Sequence, residues 1–282
     1  MSGRAYGKPG ERTLQRQATI GGPPWALPVT LLAAAAVAQA AGVAALVVAA
    51  PDLARGVVYG PAQLGAAHLL GLAFLTVAIV AALLQLVPVL LRTHLSTTRR
   101  AAVTGAALVA GSWVLAAGLW ADAPRAVEVG GTLVVAAGAV VVADLAAAVL
   151  RARRKGSLGA VGAGVAAAGG WLAVVIVLGA LMAANRVHPF LGVDRLRLVA
   201  AHAAVALLGW VGGTVLAMSA RLAPMFALSH GYRRGPGTAA LVAWHASVPP
   251  IALGLLTGIA PLAAAGGAVL LLACGLAAWF VA

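Results

Sequence analysis

The stretch LGAAHLLGLAFLTVAIVAALLQLVPVLL, residues 64–91, decides the fold of this chain. It contains no Asp, Glu, Lys or Arg, and it exceeds the roughly 20 apolar residues that cross a ~30 Å hydrocarbon core as a helix. One ionisable side chain, His68, lies near its start. Ionisable groups inside a membrane are costly and generally mark a functional site. We therefore predict a transmembrane helix that carries a functional histidine.

Seven further stretches have the same character, and the composition agrees with them. Hydrophobic residues make up 63% of the chain and charged residues 9%, which excludes a soluble domain. We predict an all-α, polytopic membrane bundle, because each span must satisfy its own backbone hydrogen bonds. The 35 glycines favour helices that approach closely. The predicted spans are about 25–50, 64–91, 101–121, 126–150, 157–183, 196–226, 238–259 and 262–282.

The Lys and Arg residues are concentrated on alternate connections. By the positive-inside rule, this pattern predicts a plasma or inner membrane protein with both termini in the cytoplasm. We attribute the net charge of +13 to this topology and to anionic lipid headgroups, and we expect no nucleic-acid partner. The cations of the predicted cytoplasmic side are Arg4, Lys8, Arg12, Arg16, Arg92, Arg99, Arg100, Arg151, Arg153, Arg154, Lys155, Arg233 and Arg234.

The domain organisation is simple. A basic cytoplasmic tail, residues 1–24, precedes a single transmembrane domain, residues 25–282. The one cysteine, Cys274, lies in the last predicted span, so the chain has neither a disulfide framework nor a cysteine metal site. No polar flank follows the last span. That ending fits either further sequence beyond residue 282 or a short hidden end, and both alternatives stay open.

An internal repeat relates the second predicted span to the sixth. A shift of 136 residues superimposes Pro88 on Pro224 near the cytoplasmic ends of these spans. The shift equals four spans, as duplication of a four-helix unit would produce, and internal repeats are common in membrane folds. We therefore predict two repeat-like units, about 25–150 and 157–282.

Three histidines lie within predicted spans. His68 and His202 lie at similar depth below the outer surface, on parallel helices. They could bind a haem between them, because haem iron accepts axial imidazoles. Interhelical hydrogen bonding is the alternative for both. His245 precedes Pro249 and Pro250, so its ring could satisfy carbonyls freed by a kink, or serve as a ligand or proton carrier.

The segment HAAVALLGWVGGTVLAMSARLAP, residues 202–224, resembles a helix of the haem-copper oxidase superfamily. It is similar to the haem-ligating tenth helix of the catalytic subunit of cbb-type oxidases and nitric oxide reductases. That helix reads His-x-His, then Leu-Gly-Trp-x-Gly, then a proline. His202 matches the first histidine, the family's high-spin haem ligand. Ala204 occupies the position of the second histidine, which is the family's low-spin haem ligand. His68 precedes Pro88 by the same number of residues as that second histidine precedes its own proline.

The resemblance implies a fold, a cofactor and a chemistry. The family is built of three four-helix arcs whose second helices carry cofactor ligands, and two arcs fit within this chain. By implication, His68 and His202 bind haem, of b type, near the outer face, for electron transfer or binding of O2 or NO, with an electron-donor protein as partner. A copper site needs further histidines including an adjacent pair, and no His-His occurs, so copper is not expected. Oxidoreductase activity stays open.

Other polar residues are interpreted around these two histidines. Arg195 and Arg197 could meet haem carboxylates through charge-assisted hydrogen bonds, or they could cap a helix end at the interface. Trp210 could line one face of the haem macrocycle, or it could pack between helices. The intramembrane acids Glu128 and Asp144 lie near span ends, which weakens a proton- or cation-transport interpretation. The alternative function is a membrane transporter or scaffold without a cofactor.

Overall fold

The computed structural model describes residues 22–187, 189–226 and 234–281. Within them, eight helices are long and apolar enough to cross a membrane, and no strand occurs, which confirms the all-helical, polytopic class. Most of the predicted tail, together with His188 and His230, lies outside the described residues. The helices, in chain order α1 to α8, are Ala26–Ala54, Pro61–Leu91, Thr98–Trp120, Pro124–Arg154, Ala160–Arg186, Arg195–Phe226, Gly235–Thr257 and Ala260–Phe280.

Local signals fix several helix ends. Pro61 and Pro124 begin α2 and α4, where a fixed φ favours the helix and the missing N–H needs no partner. The side chains of Thr97 and Asp194 accept backbone N–H groups in the first turns of α3 and α6. Arg92 ends α2 in the left-handed conformation, with a φ of 52°. These ends lie within a few residues of the predicted ones.

Helix α2 is the centre of the bundle. It contacts α1, α3, α4, α5 and α6, and half of its most apolar window is buried inside the protein. Helix α6 contacts α2, α5 and α7. The last helix, α8, packs mainly on α7, and 11% of its most apolar window is buried. The two helices that carry His68 and His202 therefore contact each other across the two halves of the chain, as α4 and α5 also do.

Glycines of α3 and α4 let these two helices approach very closely. A Cβ added at Gly130 would lie 2.3 Å from the backbone nitrogen of Leu115, and one at Gly118 would lie 2.7 Å from that of Val127. Such backbone-to-backbone contact is open only to residues without a side chain. Small residues permit this packing in membranes, where apolar burial gives helices little preference for each other over lipid.

A π-helical segment interrupts each of the two central helices. Leu69–Thr76 forms one within α2, and Val205–Gly212 forms the other within α6. Their first residues, Leu69 and Val205, are separated by the same 136 positions as Pro88 and Pro224. The sequence did not predict either segment. Backbone bonds in a π-helix run from residue i to i+5, so each segment rotates the helix face relative to an α-helix.

Polar contacts tie the connections together at the two ends of the bundle. At one end, Arg151 donates to the Thr93 hydroxyl at 3.0 Å and to the His94 carbonyl at 2.8 Å. At the other, Arg186 pairs with Asp122. The first contact joins the α2–α3 connection to the last turn of α4, and the second joins the α3–α4 connection to the end of α5. Alternate connections therefore share an end.

Candidate functional site

His68 and His202 lie on the two central helices, beside their mutual contact. Helices α2 and α6 approach each other along their π-helical segments, and each histidine lies just before its segment. The structure therefore places the two histidines that the sequence singled out on two helices that contact each other.

The tautomer of His68 is set by its partner. Nδ1 lies 2.8 Å from the carbonyl oxygen of Leu64, one turn earlier in α2. A carbonyl oxygen only accepts hydrogen bonds, so Nδ1 must carry the proton. The lone pair of a neutral ring then lies on Nε2. Histidines that bind metals are usually held this way, with the second ring nitrogen donating to a carbonyl or carboxylate.

His202 has a different environment. Its Nδ1 is buried and has no hydrogen-bond partner among the described residues. Gly179 of α5 faces the ring, since a Cβ there would lie 3.4 Å from Cε1 of His202. Leaving a buried polar atom without a partner costs about 1–3 kcal/mol. Buried polar atoms in proteins are nearly always paired, so this nitrogen calls for a partner.

Trp210 and Thr76 connect the two π-helical segments below the histidines. The Trp210 indole is 2% exposed, and its Nε1 donates to the Thr76 hydroxyl at 3.3 Å. That hydroxyl donates in turn to the Gly71 carbonyl at 3.0 Å. Trp210 thus packs between α2 and α6, and it holds the two histidine-bearing helices at one register.

Arg195 and Arg197 lie at the start of α6, on the side of His202 away from Trp210. The Arg195 guanidinium stacks over the Tyr59 ring, 5.9 Å from its centroid. Arg197 donates to the Thr257 carbonyl at 3.1 Å, where α7 ends. Gly258 follows with a φ of +77°, and its missing side chain makes room for the Arg197 guanidinium. Both cations therefore attach α6 to neighbouring connections.

The structure also joins His245 to a residue that the sequence analysis did not single out. Trp171 of α5 donates from Nε1 to Nδ1 of His245 at 3.2 Å. Both rings lie against glycines of α6: a Cβ would approach Trp171 to 2.6 Å at Gly209 and His245 to 2.5 Å at Gly213. The sequence signal for this arrangement was the pair of glycines in α6, because a glycine leaves space for a large ring on a neighbouring helix.

The donor set of the site is small. No group of three or more His, Cys, Asp or Glu side chains capable of holding a metal ion occurs in the described parts of the chain. His68 and His202 therefore offer imidazole nitrogens alone. A metal that arrives with its own equatorial ligands needs no more than one or two axial imidazoles.

These features define a multi-pass helical membrane protein with one histidine on each of its two contacting central helices. Comparison with protein family models, with curated proteins and with solved structures finds no match to this chain.

Proposed function

We propose that this protein binds haem near the outer face of the cell membrane, with His68 and His202 as the ligands. The observation that carries the proposal is the Nδ1 contact of His68 with Leu64, beside the contact between the helices that bear both histidines. This contact leaves the Nε2 lone pair available to iron. Bound haem would supply an iron for electron transfer or for binding a diatomic gas such as O2 or NO.

The surrounding residues fit this cofactor. The Nδ1 atom of His202 is buried without a hydrogen-bond partner among the described residues, which supports a partner other than a protein side chain. Ligation by both histidines favours electron transfer with an electron-donor protein, whereas ligation by His202 alone leaves iron open to a gas. Arg195 and Arg197 supply positive charge on the outer side of His202, where haem carboxylates would be neutralised. Trp210 supplies a flat apolar ring beneath.

The likeness to haem-copper oxidases extends the proposal to the architecture. We infer that residues 25–150 and 157–282 are two four-helix units with both termini in the cytoplasm. The equal spacing of the two π-helical segments and of Pro88 and Pro224 supports the repeat. The cations at the Thr93–Arg151 end of the bundle support the orientation. Oxidoreductase activity would then require a redox partner.

Haem retention in single-residue variants tests the ligand assignment. His68→Ala and His202→Ala should each lower the haem-to-protein ratio at least tenfold, whereas His94→Ala, which changes an exposed histidine, should retain it. The ratio is measured on protein purified from haem-replete cells, after the variants have been matched for monodispersity. Equal haem content in all four proteins would contradict the assignment.

A transporter or scaffold without a cofactor is the second candidate. The Trp210–Thr76 hydrogen bond favours it, because interhelical hydrogen bonds of this kind hold helices together without any ligand. Under this function, His68→Ala and His202→Ala would lower thermal stability, and neither the unmodified protein nor any variant would contain haem.

A further inference from the structure

Seven cations are concentrated at the Thr93–Arg151 end of the bundle, where the α2–α3 connection meets the last turn of α4. Among the described residues, only one of the seven pairs with an acid, since the Arg100 guanidinium lies 3.0 Å from the Asp144 carboxylate. The other six carry positive charge without a carboxylate partner in that part of the chain. The seven, which we call the basic end, are Arg92, Arg99, Arg100, Arg151, Arg153, Arg154 and Lys155.

Hydrogen bonds to the backbone hold the basic end together. Lys155 donates from Nζ to the Arg92 carbonyl at 3.5 Å, and the Ser157 hydroxyl donates to the Leu91 carbonyl at 3.3 Å. Together with the contacts of Arg151 described above, these bonds attach the end of α4 to the end of α2. The positive charge is therefore gathered by the fold itself, which lowers the cost of arranging it around a ligand.

Helix dipoles account for the cations of α2 and α4 but not for those of α3. Arg92 and Arg154 lie at C-terminal helix ends, where the dipole favours positive charge. Arg99 and Arg100 lie in the first turn of α3, where the dipole is itself positive and no acidic residue occurs. Asp144 compensates Arg100. Arg99 is exposed and has no acidic partner among the described residues, so an anion from outside the chain would stabilise it.

Exposed apolar side chains lie one helical turn deeper than these cations. Val103 follows Arg99 by four residues on α3, and Leu150 precedes Arg154 by four residues on α4, so each pair shares a helix face. Val103 is 64% exposed and Leu150 is 53% exposed. A phospholipid matches this arrangement, because its phosphate lies at the membrane surface and its acyl chains lie beneath. A soluble acidic protein segment would cover the cations alone.

We propose that the basic end binds the headgroup of an anionic phospholipid, with Arg99 at the phosphate and an acyl chain along the exposed face of α3 at Val103. Basic connections attract an anionic leaflet in general. Here the cations are held in place by the fold, and the charge of Arg99 is uncompensated, so the attraction is localised in a defined site. The site does not involve His68 or His202, and it is independent of haem binding.

Native mass spectrometry of the delipidated, full-length protein, titrated with phosphatidylglycerol or with phosphatidylcholine, tests the site. We expect one phosphatidylglycerol to bind in preference to phosphatidylcholine. Arg99→Gln should weaken phosphatidylglycerol binding about fivefold, or about 1 kcal/mol, the contribution of one cation near a membrane surface. Arg125→Gln is the matched control, because it removes the same charge from an exposed arginine at the opposite end. Equal weakening in both variants, or equal affinity for both lipids, would overturn the proposal.

Two further measurements identify the partner. In about 1 M salt, where the Debye length is about 3 Å, the preference for phosphatidylglycerol should disappear, and a preference that persists would contradict recognition by charge. A soluble glutamate-rich peptide is the second probe. Peptide binding that Arg99→Gln abolishes, with phosphatidylglycerol binding unchanged, would assign the basic end to an acidic protein segment and overturn the proposal. If Arg99→Gln does not fold, Arg154→Gln gives the same comparison.

Discussion

At the scale of single residues, the hydrogen-bond partner of an imidazole determines its chemistry more than its depth does. Sequence position placed His68 and His202 near one level, and the structure places them on two helices that contact each other. Sequence position could not predict the hydrogen-bond partners of their imidazole nitrogens. Leu64 accepts from His68, whereas Trp171 donates to His245, so the two rings have opposite tautomers. Such differences depend on helix rotation and packing, which the spacing of apolar residues does not specify.

The Trp210–Thr76 hydrogen bond should contribute a measurable coupling between α2 and α6. In a double-mutant cycle of Trp210→Phe and Thr76→Val, we expect a coupling energy of about 0.6 kcal/mol, in the range measured for interhelical hydrogen bonds in membranes. Unfolding of the four proteins in mixed micelles gives the value. A coupling of zero would show that the indole packs without a stabilising hydrogen bond.

The glycine that faces His202 should be required for the site. Gly179→Leu would push a side chain against the His202 ring, because even a Cβ there lies 3.4 Å from Cε1. We expect loss of at least half of the bound haem with the helical content retained. Gly170→Leu on the same helix is the matched control, since a Cβ there has no atom within 4 Å. Equal haem loss in both variants would argue against a site at His202.

At the scale of the elements, the eight helices followed from length and composition, whereas their internal irregularity did not. The predicted span 64–91 matches α2, Pro61–Leu91, because an apolar run of that length has one stable form in lipid. The π-helical segments Leu69–Thr76 and Val205–Gly212 have no compositional signature. Such π-helical turns are frequent at functional sites.

The α3–α4 contact should be sensitive to a single methyl group. Gly130→Ala would place a carbon 2.3 Å from the Leu115 backbone nitrogen, so the helices must move apart. We expect destabilisation of about 1–3 kcal/mol, as for other overpacked sites. Gly131→Ala has no atom within 4 Å of the new carbon and should be neutral or slightly stabilising. Denaturant titration of both variants gives the comparison, and similar values would refute the close contact.

At the scale of the whole molecule, charge on the connections sets the proposed orientation. The contact of Arg151 with Thr93 and His94 gathers the basic connections at one end of the bundle. The opposite end holds the Asp122–Arg186 pair and the stacking of Arg195 on Tyr59. A negative surface potential on the cytoplasmic leaflet attracts the more basic end.

Topology reporters check this orientation. A reporter fused after Trp120 should be active only as a periplasmic or extracellular enzyme, and one fused after Arg154 only as a cytoplasmic enzyme, because one span separates them. Fusions after Leu91 and after Arg186 provide a second, independent pair. The reverse pattern at all four positions would invert the molecule and place the His68–His202 level at the cytoplasmic face.

The most direct test of the account is the visible spectrum of the purified, unmodified protein from haem-replete cells, recorded oxidised, reduced, and reduced with carbon monoxide. The account predicts sharp haem bands on reduction that His68→Ala or His202→Ala abolishes. Bands that carbon monoxide leaves unchanged would indicate that both imidazoles bind one iron. Bands that carbon monoxide shifts would indicate that the iron has an open coordination position. A colourless protein with native helical content would contradict haem binding and leave the scaffold or transporter.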